Sequence, residues 1–192
     1  MRLTGHLKTT LGLLLGLAWT LGAAAPPATK SAKTVRFKMN LHSAAFAGLG
    51  AIPAKYTCQG QNISPALAWD KEPPATESLV LLVEDPDAPE KTWVHWVLYN
   101  IPPGIGELPE SLGPTPVLSN GLRQGTNDFG GIGWGGPCPP SGIHRYYFKL
   151  FALDAVLDLQ AGLEEPQVLK AIRGHVLAQS TLVGVYQKRL LP

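Results

Sequence analysis

The stretch LVLLVEDPDAPEKTWVHWVLYNIP, Leu79 to Pro102, decides the fold. Leu79 to Val83 is an unbroken apolar run of strand length, the pattern of a strand covered on both faces. The turn sequence Asp85-Pro86 stops it. Thr92 to Ile101 is a second strand, rich in aromatic and β-branched residues, and Pro102, Pro103 and Gly104 end it. Two buried strands joined by a tight acidic turn put Asp85 and Asp87 at one sheet end, with His95 on the returning strand. Taken alone the turn has an ordinary explanation, because Asp side chains commonly satisfy the amides of their own turn.

Outward from this pair, GGPCPPSGIHRYYFKLFALD, Gly135 to Asp154, delivers a glycine-proline loop onto a third strand, Arg145 to Leu153. Proline fixes φ and glycine permits close backbone approach, so the loop reads as a preorganised wall that presents His144, Arg145 and Tyr146. Val35, Phe37, Met39 and Leu41 alternate with polar residues and predict a half-buried strand. Ile52 to Trp69 reads as loop. Pro103 to Gly142 is dense in Gly, Pro, Ser and Asn, and Leu122, Phe129 and Trp134 are its expected pins to the core; irregular stretches this long in compact domains are usually functional. Glu164 to Ala178 predicts a helix: Glu164 and Glu165 at its positive end, Pro166 in the first turn, and Val168, Leu169, Ile172, Val176 and Leu177 on one face. Thr181 to Tyr186 returns as a strand. Strands dominate, one helix comes late and no βα alternation occurs, so the expected class is mainly β: a two-sheet antiparallel β-sandwich with a C-terminal helix and long Gly/Pro-rich loops.

The first residues read as an export signal, with Arg2, His6 and Lys8 in front, Leu11 to Leu21 as the apolar middle and Gly22 to Ala25 as a small-residue exit. We expect a signal peptide over 1–24, a flexible leader over 25–33 and a single domain over 34–192, hence a periplasmic or secreted protein. The apolar middle falls short of the ~20 residues that span a bilayer, so no stable membrane insertion of the mature chain is expected. Removing residues 1–24 takes Arg2 and Lys8 from a chain of net charge +2 and leaves a formally neutral one. Such a balance argues against nucleic acid, whose backbone binding needs clustered cations. The two cysteines, Cys58 and Cys138, admit two readings: a disulfide in an oxidising compartment, or two buried thiols.

DPDAP at Asp85–Pro89, His95 within WVHWVLYNIP, GGPCPP at Gly135–Pro140 and GIHRYYF at Gly142–Phe148 stand in the order of one family. YTCQGQNISPALAW before them and GHVLAQSTLVGVYQ after them extend the match over Val35 to Lys188. The chain resembles the phosphatidylethanolamine-binding protein (PEBP) family, also called Raf kinase inhibitor-like proteins, in its bacterial YbhB/YbcL-type branch. That resemblance implies a β-sandwich with a small anion pocket at one end, lined by Asp85, His95, the backbone of Gly136 with Pro137, His144 and Tyr146. The chemistry is consistent: imidazole N–H groups, a phenol and loop amides donate to phosphoryl or carboxylate oxygens. Asp85 would accept a hydrogen bond from one histidine, or from a protonated oxygen or amine of the ligand. Arg145 points to the opposite face, where an ion pair with Asp87 is expected. His175 reads as a surface histidine at the helix's negative end.

The function implied is a non-catalytic, exported binding protein for a small anionic ligand such as phosphate, a phosphoethanolamine-like headgroup or a carboxylate, with no cofactor and no metal. An alternative is a protease or other protein inhibitor acting through loops around Leu122 to Pro140. A hydrolase with His95 or His144 as general base and Asp85 as its orienting partner lacks a recognisable nucleophile, since Ser141 has no GxSxG setting and Cys138 sits between prolines. A metal site from Asp85, His95 and His144 has no HExxH or CxxC spacing behind it.

Overall fold

The computed structural model describes residues 38–189. The export signal, the leader and the first strand residues, Val35 to Phe37, lie outside the described residues. The central strand is β3, Ser78–Asp85, with all eight residues buried. It pairs antiparallel with β4, Trp93–Ile101, on one side and with β7, Ile143–Leu153, on the other. The short β6, Arg123–Gln124, flanks β4, and β8, Val176–Gln187, flanks β7, giving a five-stranded sheet in the order β6-β4-β3-β7-β8. A second, three-stranded sheet packs β1 (Asn40–His42), β2 (Leu67–Asp70) and β5 (Glu107–Leu108) in the order β1-β2-β5.

The period-two geometry of β3 divides the core. Leu79, Leu81 and Val83 face the small sheet and join Met39, Leu41, Leu67, Trp69, Trp96, Phe148 and Leu150 in one cluster. Val80 and Leu82 face the other way and pack with Val97, Tyr99, Val168 and Ile172. A strand apolar on both faces is therefore the middle layer, with a sheet on one side and the helix on the other.

The helix is shorter than its periodicity predicts. α1 spans Glu165–Ala171, with Pro166 in its first turn and Gln167 Oε1 accepting the Glu164 amide at 2.9 Å. Gly174 takes φ +85° and the chain turns away, so Val176 to Ala178 open β8 opposite Leu153 and Ala152. The long ladder with β7 outweighs the local helical pattern. His175 accordingly lies past the helix, where its Nδ1 meets Asp154 Oδ1 at 2.8 Å. The segment read as loop up to Trp69 also ends in a strand, because Leu67 to Asp70 pair with both β1 and β5.

The long loop is tied in by side chains that hydropathy does not reveal. Gln124 is fully buried, accepts Trp96 Nε1 at 2.8 Å and donates to the carbonyls of Gly113 and Thr115. Asn127 closes the glycine turn that follows, accepting the amides of Phe129 and Gly131 and donating to Gly133 O. Leu122 is buried, and Trp134 stacks on Phe148 with ring centroids 6.0 Å apart. Phe129 is not a core pin: it is half exposed and stands edge-on to Trp93 and His95.

Candidate functional site

Three strands bring the polar residues together. Asp85 closes β3, Trp93 lies opposite it at the start of β4, His95 follows two positions later, and His144 is the second residue of β7. They border a cavity of about 200 Å³ whose remaining lining is Ala88, Pro89, Phe129, Cys138, Pro139 and Pro140. The polar groups thus sit at the base of an apolar, proline-rich mouth.

His144 Nδ1 donates to Asp85 Oδ2 at 2.7 Å, with both side chains buried. The second carboxylate oxygen, Oδ1, accepts the Asp87 amide at 2.9 Å. Asp85 is therefore both the turn's own cap and the acceptor that fixes the His144 tautomer; the ordinary and the functional explanations hold together. With Nδ1 committed, Nε2 is the ring nitrogen left to His144 for a ligand.

His95 is held differently. Its Nδ1 donates to Gly135 O at 2.5 Å, and the Gly135 amide returns a bond to His95 O at 2.9 Å. Burial pushes the imidazole below its usual range, so His95 is neutral at neutral pH and its Nε2 is an acceptor. The Tyr146 ring packs edge-on against His95 at 5.1 Å. Burial first, and then the Asp85 charge, push the Tyr146 phenol up, so it remains a neutral hydroxyl. That hydroxyl is buried and has no hydrogen-bond partner among the described residues.

The wall is placed by close contacts only glycine allows. A Cβ on Gly135 would stand 2.5 Å from the Phe129 ring, and one on Gly136 would stand 2.3 Å from Tyr56 O. Gly136 donates its amide to Asn62 Oδ1 at 2.8 Å, and Pro137 O accepts the Cys58 amide at 3.1 Å. Cys58 and Cys138 form a disulfide with Cα atoms 5.4 Å apart.

Of the six residues expected to line the pocket, Asp85, His95 and His144 do so. Gly136, Pro137 and Tyr146 lie behind the lining. The reason for the first two is that their peptide groups face the 56–62 segment, where Asn62 and Cys58 take them up. Tyr146 is fully buried beneath His95. Arg145 points away as expected and clamps Asp87 with two bonds of 2.9 and 2.7 Å, holding that carboxyl down at about 2. Sequence reasoning missed Trp93, Phe129 and Asn62. Counting register across the Asp85 turn finds Trp93; the other two approach only through tertiary folding.

A pocketed two-sheet β-sandwich with a carboxylate–imidazole pair at its floor is the class this geometry defines. The family described as phosphatidylethanolamine-binding protein matches residues 42–187, and the chain belongs to that family. A UPF0098 protein of Methanothermobacter thermautotrophicus is 51% identical over 150 residues, 78% of this chain and 99% of that protein. One from Aquifex aeolicus is 44% identical, covering 78% of this chain and 89% of its own length. Among solved structures, a PEBP homologue from Chlamydia trachomatis superposes with a TM-score of 0.73 at 42% identity, covering 79% of this chain and 98% of its own. E. coli YbcL, described as a member of the mammalian PEBP family, gives a TM-score of 0.73 at 31% identity, with coverages of 79% and 99%. The chain is thus similar to PEBP-like proteins along its described length, and a PEBP-like binding protein is what these findings support.

Proposed function

We propose that this is an exported, non-catalytic binding protein whose pocket takes a small anionic group, a phosphoryl or carboxylate headgroup. The observation that carries the reading is the convergence of the Asp85–His144 pair and His95 on one hollow. The polar inventory also narrows the ligand. Lys91 and Arg145, the neighbouring permanent cations, are paired with Asp128 and Asp87. With those cations engaged, the hollow offers the ligand the free edge of the His144 imidazole and the acceptor His95 Nε2, which takes a proton of the ligand. A singly protonated phosphoryl group suits that pattern better than a dianion. Export rests on the N-terminal sequence alone.

Against hydrolysis stands the state of the candidate nucleophiles: Cys138 is consumed in the disulfide, and Ser141 does not border the cavity. Isothermal titration of the oxidised protein with inorganic phosphate and with phosphoethanolamine between pH 5 and 8 tests the proposal. We expect saturable binding that weakens as pH rises, and a loss of at least ~1.5 kcal/mol, about tenfold, in His144→Gln, on the scale of a charged hydrogen bond. No binding of either probe across the range would overturn it.

A further inference from the structure

The span Cys138–Gly142 is tied to the fold unlike the segments on either side. Upstream, Gly135 is paired with His95, Gly136 with Asn62 and Pro137 with Cys58. Downstream, Ile143 enters β7 opposite Gln187. Between those anchors, among the described residues, no hydrogen bond reaches the chain from Cys138 to Gly142. Pro139 and Pro140 have no N–H to give. What fastens the span is the covalent link from Cys138 to Cys58. The same span supplies Cys138, Pro139 and Pro140 to the cavity, and Cys58 is exposed.

We propose that the Cys58–Cys138 bridge is a thiol-responsive latch on the pocket, whose reduction frees the Cys138–Pro140 wall and weakens ligand binding. The proposal rests on the anion-binding reading above. The exposed partner sets the direction of attack: the thiolate of a dithiol reaches Cys58 Sγ, forms a mixed disulfide and expels Cys138 as the thiolate. The second thiol of the reagent then closes the reagent's own disulfide and expels Cys58. Two electrons pass from the dithiol to the bridge, and its two protons end on the cysteines. Among the described residues the hydrogen-bonded anchors of the wall are afterwards Pro137 and Ile143, with the packing of buried Pro139 between them and Gly142 at φ +70° as the joint between proline segment and strand.

The change is local for a physical reason. Neither cysteine belongs to the two buried clusters that hold β3, β4, β7 and α1, so the sheet keeps its packing while the wall opens. Affinity falls because the pocket has few polar contacts and relies on a preordered apolar rim to exclude water from them.

The test compares the full chain oxidised, reduced by excess dithiothreitol, and reoxidised, titrated calorimetrically with inorganic phosphate. Cys58→Ser is carried alongside without reductant, and backbone amide order parameters from nuclear spin relaxation are read at Cys138, Ser141 and Gly142 against β3 and β4. We expect at least tenfold weaker binding on reduction and in Cys58→Ser, full recovery on reoxidation, and lower order parameters in the wall with those of β3 and β4 unchanged. Equal phosphate affinity in the oxidised and reduced forms overturns the latch. So do wall order parameters that stay at their oxidised values, which would make the bridge a stabiliser of the fold alone. If the oxidised protein binds no phosphate, the anion-binding reading fails on its own; the latch then stands or falls on whether order falls selectively in the wall.

Discussion

At the residue scale the two histidines are set to opposite tasks by what binds their Nδ1 atoms. His144 gives its Nδ1 proton to a carboxylate; His95 gives its Nδ1 proton to a carbonyl in a buried setting, and that burial disfavours the imidazolium. The sign of the stability effect of His95 follows. Its folded value lies below the ordinary one, so its contribution is present above about pH 6.5 and is lost as pH falls through the depressed value. We expect urea denaturation of wild type to show stability declining from pH 6.5 toward pH 5, and the decline to be shallower in His95→Gln. An identical acid limb in the variant would mean that His95 is not the titrating group.

On the scale of elements, the junction of α1 with β3 and β7 carries a second carboxyl problem. Glu84 is buried and takes Lys149 Nζ at 2.5 Å, while Glu165 approaches Glu84 with its Oε1 buried and without a hydrogen-bond partner among the described residues. Burial, and then the charge on Glu84, push the Glu165 carboxyl up to about 8. Glu165 was expected to add a negative charge at the helix's positive end; at neutral pH it is protonated, and its first-turn position serves packing. The native state binds the extra proton, so this stabilisation is complete below about pH 4.5 and is lost as pH rises through about 8. Glu165→Gln mimics the protonated acid. It should leave stability at pH 4, where both states of wild type are protonated, unchanged and raise it at pH 9 by at least ~1 kcal/mol, the worth of less than one pKa unit. Denaturant melts at the two pH values read this directly, and a variant equal to wild type at pH 9 would remove the argument. Helix length shows the limit of local pattern at this scale: Val176 and Leu177 keep helical spacing with Val168 and Ile172, yet β8 begins at Val176 because its ladder runs opposite all eleven residues of β7 and gives their facing backbone groups partners.

For the whole molecule, the bridge closes a separation of 80 residues and spans β3 and β4. The chain-entropy model assigns such a loop roughly 4 kcal/mol, with measured values often smaller. Cys58→Ser/Cys138→Ser should therefore lose about 2–4 kcal/mol in chemical denaturation while retaining the β-rich circular dichroism of wild type. A loss below ~0.5 kcal/mol would show that the unfolded chain gains little freedom from the missing link. The central place of β3 was legible because it is written in periodicity: a run apolar at every position from Leu79 to Val83 has to be covered on both faces. Half of the expected site was legible for a related reason, since Asp85, His95 and His144 lie at strand ends whose register the turn sequences set.

By itself the amino-acid order determined the mainly β class, the central strand pair, the acidic turn and the family, because hydrophobic period, turn chemistry and motif are local properties of the chain. Only the tertiary structure decided that β8 begins where a helix was expected, that the Gly136 amide turns to Asn62 instead of the pocket, and that Trp93 and Phe129 form its rim. Those outcomes depend on which distant groups compete for the same backbone and the same space, and that competition exists only once the sheets have packed.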